Sequence, residues 1–249
     1  MDRKRIVIVG ATSAIAAHCA RLWLAAAPAD LVLIGRDAAR LERTAADLRV
    51  RNPQSDVRVI AVDLLDTAAI GATVDAVTGE GTVDIALVAH GWLAGQKACE
   101  ADLATARAAL EVNAVSPALW AEAFAGAMAE ADRGTIAIIG SVAGDRGRRA
   151  NYVYGAAKGL VTRYAEGMQH RFAGSGVKVV LIRPGPTDTP MTADRKADGA
   201  RLASAETVAA GIVKAIAKGR RSAYVPARWR LIMLVVRHLP AFIFNRINV

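Results

Sequence analysis

The sequence predicts an α/β fold, a single doubly wound Rossmann-type parallel sheet of about seven strands with helices on both faces. Three observations lead there. Short Val, Ile and Leu runs alternate with helical stretches along the chain. The runs are continuous rather than alternating, as in parallel strands covered on both faces. Chemically suggestive residues fall at the carboxyl ends of those runs, where open α/β sheets bind ligands. The 249 residues suit one such domain, and a hydrophobic share of 53% can fill its core.

The first strand is expected at Ile6–Val9, with a helix near Ala14–Ala26. Asp2 to Arg5 ahead of the apolar run Ile6–Ala17 looks like the front of a secretory leader. The same run carries the glycine turn that a nucleotide fold needs, so it reads as a strand of a cytoplasmic protein. Leu31–Ile34 precedes a helix near Ala38–Val50, and Val57–Val62 precedes one at Thr67–Val77. Ile85–Ala89 leads into one long helical stretch from about Ala101 to Ala129. Thr135–Ile139 precedes a helix near Tyr152–Phe172. Val177–Ile182 leads through a loop to a helix near Ala205–Lys218 and a last strand at Ala223–Val225. Residues 1–226 then form the dinucleotide-binding and catalytic domain, and 227–249 a basic amphipathic helical tail attached to it.

The strand ends give a candidate cofactor site. After the first strand, Gly10, Ala11, Thr12, Ser13, Ala14 and Ile15 lead into a helix whose N-terminal amides can face a pyrophosphate. Only one glycine of the usual three is present, so alone this turn is a weak signal. At the second strand end Arg36 precedes Asp37. A guanidinium there fits a 2′-phosphate, which favours NADP(H), while Asp37 keeps NAD(H) open. Asp63 and Leu64 end the third strand, where Asp63 can accept from an adenine amino group. Ala89, His90 and Gly91 end the fourth, with small residues that let backbone approach the cofactor and His90 as a wall residue.

The fifth strand ends at Ser141, thirteen residues before Tyr154, and Lys158 follows Tyr154 by one helical turn. An ammonium beside a phenol favours the phenolate, which makes Tyr154 a proton donor and acceptor nearer neutral pH. Ser141 can hydrogen-bond a substrate oxygen as charge grows on it. Asn113 lies within the preceding long helix, where its amide could hold a water against Lys158. Tyr152 lacks a lysine at the matching spacing, since position 156 is Ala.

Composition narrows the rest. Cys19 and Cys99 form no CxxC pair and read as reduced thiols, and the four histidines lack ligand spacing, so no metal site is expected. The net charge of +9 is a C-terminal property. No acid follows Glu206, while Lys214, Lys218, Arg220, Arg221, Arg228, Arg230, Arg237 and Arg246 do. A fold-wide basic surface would point to nucleic acid, which is not expected here. A basic tail mixed with apolar runs points instead to an anionic membrane surface.

Over residues 5 to about 225 the sequence resembles the short-chain dehydrogenase/reductase family. The matching elements are the Gly10 turn, Asp63, Asn113, Ser141, Tyr154, Lys158 and the run Pro184, Gly185, Pro186, Thr187, Asp188, Thr189. The resemblance implies that Tyr154 is the general acid/base, that Lys158 also holds the nicotinamide ribose, that Ser141 orients a carbonyl and that Asn113 supports a proton relay. It implies that Pro184, Gly185, Thr187 and Thr189 cover the nicotinamide, and that the chain is a homodimer or homotetramer.

Two local features narrow the substrate. Arg146, Arg148 and Arg149 sit between Ser141 and Tyr154 and suit an anionic group; a solvated loop explains them as well. In the tail, Leu231–Val236 is too short to span a bilayer, Arg230 and Arg237 share a helix face, and Pro240 suits the first turn of a second short helix. Such a helix fits a membrane interface or packs on the protein. Residues 148–155 and the ending from Val225 to Pro240 resemble the branch that reduces decaprenylphosphoryl-2-keto-ribose and related polyprenyl-phosphate keto-pentoses. That branch implies a lipid-linked phosphorylated keto-sugar as substrate, a role in cell-wall biosynthesis, a flavin-dependent oxidase partner and a peripheral place at the inner face of the plasma membrane. The alternatives are a generic ketone or 3-oxoacyl reductase with a packed tail, and a catalytically silent nucleotide-binding scaffold.

Overall fold

A computed structural model describes residues 3–247. The chain runs β1 (Lys4–Val9), α1 (Ala14–Ala26), β2 (Ala29–Gly35), α2 (Ala38–Arg51), β3 (Asp56–Ala61), α3 (Thr67–Gly79), β4 (Ile85–Val88), α4 (Gln96–Ala101) and α5 (Leu103–Leu110). It continues with α6 (Ser116–Glu130), β5 (Gly134–Ile139), α7 (Tyr152–Arg171), β6 (Val177–Pro184), β7 (Thr187–Asp188), α8 (Ala193–Ala197), β8 (Ala203–Ser204), α9 (Ala205–Ala217), β9 (Ser222–Val225), α10 (Trp229–His238) and α11 (Ala241–Phe244).

Seven strands form one parallel sheet in the order β3-β2-β1-β4-β5-β6-β9. Both faces are covered, and β1 shows why its sequence is a continuous apolar run. Ile6 and Ile8 point into one core with Leu41, Leu48 and Ile212. Val7 and Val9 point into the other with Trp120, Phe124 and Met128. Successive side chains of a strand face opposite ways, so a two-sided burial needs every residue apolar. The chain leaves β1 in one direction for β2 and β3, then returns to place β4 on the other side of β1. That reversal opens a crevice at the carboxyl ends of β1 and β4.

The predicted long helix from 101 to 129 is broken twice. Asp102 is extended (φ −137°, ψ 114°), and its carboxylate accepts from the amides of Ala104 and Thr105, capping α5. Between α5 and α6, Glu111–Val115 winds as one π-helical turn. There Asn113 Nδ2 donates to the Ala109 carbonyl at 2.8 Å, four residues back, and so takes the acceptor of the regular helical ladder.

The tail is helical, as predicted. Pro240 stands at the start of α11, where its fixed φ is harmless, and separates it from α10. α10 lays Met233 and Val236 against Val142, with Tyr224, Trp229 and Phe244 around them. No helix among the described residues is long and apolar enough to cross a membrane.

Candidate active site

The cofactor end is built on β1, β2 and β4. Gly10 has φ +81°, and a Cβ there would fall 2.6 Å from the His90 Cβ, so both backbone angle and space demand glycine. The amides of Gly10 and Ala11 both donate to the Ile34 carbonyl, at 2.8 and 3.1 Å, which fixes the turn against β2. Ser13 is the N-cap of α1 yet makes no side-chain cap bond, and no acid lies in the first turn that Ala14 and Ile15 begin. With Thr12 beside it, the turn therefore presents uncapped amides and a positive helix end, which fit a pyrophosphate.

At the end of β2, Arg36 is exposed. Asp37 accepts from the Arg40 amide at 2.9 Å and caps α2. A cleft beside this turn is lined by Thr12, Ala17, Arg21, Arg40, Arg43, Thr44 and Asp47. Its one acid, Asp47, is shared by Arg21 and Arg51, so Arg40 and Arg43 leave the cleft positive. Asp63 is exposed at the end of β3, with one oxygen accepting from the Leu65 amide at 3.0 Å.

His90 holds a defined position. Its Nε2 lies 2.8 Å from Ser116 Oγ, and Ser116 Oγ lies 2.6 Å from the Leu64 carbonyl. A carbonyl can only accept, so the Ser116 hydroxyl donates to it and accepts from His90 Nε2–H. Nδ1 is then the bare nitrogen, buried and without a partner among the described residues. Burial, followed by the charges of Lys158 and Arg36, pushes the His90 pKa down to about 3, so the ring is neutral. His90 is thus a wall fixed between the Gly10 turn and α6.

The candidate catalytic end forms where β5 meets α7. After Ser141 the backbone makes a 3₁₀ turn, Val142–Asp145, and Ser141 Oγ accepts from the Ala143 amide at 3.1 Å. This turn lies directly on α7. A Cβ on Gly144 would fall 2.6 Å from the Lys158 carbonyl, and one on Gly155 would fall 3.0 Å from the Ala143 carbonyl. These contacts bring Ser141 to the helix of Tyr154 and Lys158. Lys158 is only 2% exposed; its Nζ donates to the Ile139 carbonyl at 3.0 Å and lies 5.8 Å from the centre of the Tyr154 ring. Burial pushes its pKa down to about 8.

Asn113 is fully buried beside them. Its Oδ1 accepts from the Trp92 amide at 2.8 Å, and its Nδ2 donates to the Trp92 carbonyl at 2.7 Å as well as to Ala109. The expected water-holding amide is therefore engaged by backbone, tying the segment after β4, which carries Ala89 and Gly91, to the π-helical turn. A Cβ on Gly91 would fall 2.9 Å from Asn113 Oδ1, 3.8 Å from Lys158 Nζ and 4.0 Å from Met191 Cε.

Met191 reaches this point from the segment after Pro184. Thr187 Oγ1 donates to the Gly185 carbonyl at 2.9 Å, and Thr192 Oγ1 donates to the Thr187 carbonyl at 2.5 Å. The Thr189 amide donates to Thr192 Oγ1 at 3.2 Å. The segment is thereby a folded flap beside Gly91 and Lys158.

The loop arginines divide. Arg146 faces the tail, donating to the Val236 and Leu239 carbonyls at 2.6 Å each with its guanidinium 3.8 Å from the centre of the Phe244 ring. Through Nη1, then, Arg146 is held by the carbonyls that end α10. Arg148 is half-buried and Arg149 exposed. Sequence reasoning missed Arg40, Arg43, Ser116, Gly144, Met191 and Trp229. Gly144 and Arg40 carry a faint signal, a glycine three residues past the serine and a base one turn past Arg36; the others depend on tertiary contacts alone.

Comparison with known proteins agrees with this geometry. Residues 4–200 match the family described as short chain dehydrogenase. An uncharacterized oxidoreductase of Mycobacterium tuberculosis is 35% identical over 242 residues, covering 97% of this chain and 96% of its own. The galactitol 2-dehydrogenase (L-tagatose-forming) of Cereibacter sphaeroides is 33% identical over 195 residues, covering 77% of this chain and 74% of its own. The structure of a short-chain dehydrogenase from Sphingobium yanoikuyae in complex with NADPH superposes with a TM-score of 0.80 at 21% identity, covering 98% of this chain and 96% of the other. The chain belongs to the short-chain dehydrogenase family and is an NAD(P)-dependent oxidoreductase.

Proposed function

We propose that this protein interconverts a ketone and a secondary alcohol with NADP(H), using Tyr154 as general acid/base. The observation that carries the reading is Lys158: a lysine 2% exposed, beside the Tyr154 ring and under the turn that begins at Ser141. A buried ammonium is costly, and such a group is retained where its charge is used. The nicotinamide, when bound, supplies the two electrons that reduce the carbonyl. Ser141 donates to the carbonyl oxygen, Tyr154 delivers the proton to it, and the positive charge of Lys158 favours the tyrosinate that results. The uncapped start of α1 holds the pyrophosphate, and Asp63 the adenine. Arg36, with Arg40 and Arg43 nearby, favours a 2′-phosphate, while Asp37 is engaged in capping α2. Tyr154→Phe tests the reading: turnover of an activated ketone should fall by ~10² or more while NADPH still binds. Turnover within about tenfold of the parent protein would reject it.

The tail supports a lipid-linked substrate. Leu231, Leu234, Val235 and Phe242 are exposed on α10 and α11, between Arg228, Arg230, Arg237 and Arg246. Such a face fits an anionic membrane surface, which would deliver a carbonyl on a lipid carrier. A polyprenyl-phosphate keto-sugar has that chemistry, and Arg148 and Arg149, between Ser141 and Tyr154 in the sequence, suit its phosphate.

A further inference from the structure

The tail grips both sides of the catalytic end. On one side, Met233 and Val236 of α10 pack on Val142, the residue after Ser141. On the other, the Trp229 ring lies on Gly185, where an added Cβ would fall 1.9 Å from Nε1. Trp229 Nε1 is buried without a partner among the described residues. The grip is closed by Arg146, just beyond the serine turn. Its two 2.6 Å bonds reach carbonyls at the end of α10, where no helical donor is left for them and the helix dipole is negative. Its guanidinium also stacks on Phe244 of α11. Asp145, immediately before Arg146, accepts from Tyr224 Oη at 2.7 Å and sits 3.6 Å from Arg183 Nε. Tyr224 lies on β9, from which the tail departs. The Ser141 turn is thus held at its start by Val142 and at its end by Asp145 and Arg146, and every one of these three meets the tail or the strand that leads to it.

We propose that Arg146 is a positioning residue: by clamping the tail, it holds the 142–145 turn and with it Ser141 in the working position. Residues 229–244 are then a wall of the catalytic end. The proposal rests on the ketone-reductase reading for its kinetic arm. Its physical arm, the hold on the turn, is independent of it.

The test compares the full-length protein with Arg146→Ala, Arg146→Lys and Phe244→Ala. Three readouts are steady-state kinetics on a small water-soluble ketone without lipid, NADPH affinity by fluorescence, and hydrogen exchange of amides 142–146 and 229–244. A displacement of about 1 Å at a reacting centre costs on the order of 10²-fold. Arg146→Ala should therefore lower kcat by ~10- to 100-fold, with NADPH affinity nearly unchanged and faster exchange in both segments. Phe244→Ala should do the same more weakly. Arg146→Lys should recover part of kcat, because an ammonium keeps a charged donor for these carbonyls and loses the stacking on Phe244. Wild-type kcat in Arg146→Ala, unchanged exchange at 142–146, or equal losses of kcat and NADPH affinity would each overturn the proposal. If the parent protein reduces no ketone, the reductase reading fails, and the exchange data alone decide whether Arg146 holds the turn.

Discussion

Gly144 lies on the backbone of Lys158, so near that a methyl group would fall 2.6 Å from the carbonyl carbon and oxygen. The distance between the serine turn and the lysine helix is set by this absence of a side chain. Gly144→Ala must lift the turn or shift α7, since neither backbone atom can give way. We expect kcat on a soluble ketone to fall by ~10- to 100-fold, with NADPH affinity close to that of the parent protein. Kinetics with cofactor titration check this; unchanged kcat would show that the turn does not set the geometry of Ser141.

Lys158 predicts two opposite responses to pH. Its folded pKa is about 8, below the ordinary lysine value of about 10.4. Reduction needs the lysine charged, so kcat/KM for the ketone should fall as pH rises through about 8. Stability of the cofactor-free protein moves the other way. Between about 8 and 10.4 the unfolded chain keeps a proton that the folded chain has lost, so this residue's contribution rises with pH, by on the order of 3 kcal/mol at most. Lys158→Met should abolish turnover and flatten the rise. A pH–rate profile and denaturant unfolding at several pH values measure the two effects.

How far the sequence carried differs between sheet and site. The strands were legible because two-sided burial leaves their central residues apolar, as Val7, Ile8 and Val9 show. Ser141, Tyr154 and Lys158 were legible because strand end and helical spacing are local properties. Asn113 was expected inside one long helix, whereas it lies in the π-helical turn where its own side chain takes the Ala109 carbonyl. For Arg146 the sequence left a substrate anion and a solvated loop equally open, because a guanidinium near Ser141 is ambiguous until its acceptors are known. Those acceptors lie about ninety residues away, at Val236 and Leu239. Local pattern cannot report a contact of that range.

Arg36 and Arg40 give a prediction about cofactor choice. Asp37 caps α2 through the Arg40 amide, which leaves the guanidinium of Arg36 as the first charged group past β2. Arg36→Ala should weaken NADPH binding much more than NADH binding, by 10-fold or more if a charge-assisted bond of roughly 1.5–3 kcal/mol is lost. Arg40→Ala should act in the same direction with a smaller effect. Fluorescence titration with both cofactors checks it. Equal losses for NADPH and NADH would show that no 2′-phosphate is read there.

The tail carries the last prediction. Its inner residues Met233 and Val236 are buried on the turn after Ser141, while Leu231, Leu234, Val235 and Phe242 face outward. No acid follows Glu206 to oppose the arginines among them. Each basic residue near an anionic surface is worth about 1 kcal/mol, and the exposed side chains add apolar burial. The full-length protein should therefore sediment with anionic liposomes at low salt, less at high salt as screening shortens the reach of the charges, and little with neutral liposomes. Leu234→Asp with Phe242→Asp changes only outward residues, so it should abolish sedimentation while kcat on a soluble ketone stays near that of the parent protein. Ending the chain at Pro226 removes both faces. That protein should lose sedimentation and kcat together and still bind NADPH, whose proposed holding residues lie at the ends of β1, β2 and β3, away from the tail. A full-length protein that ignores anionic liposomes at low salt would reject the membrane surface, and the outer face of α10 would then be left for protein contact.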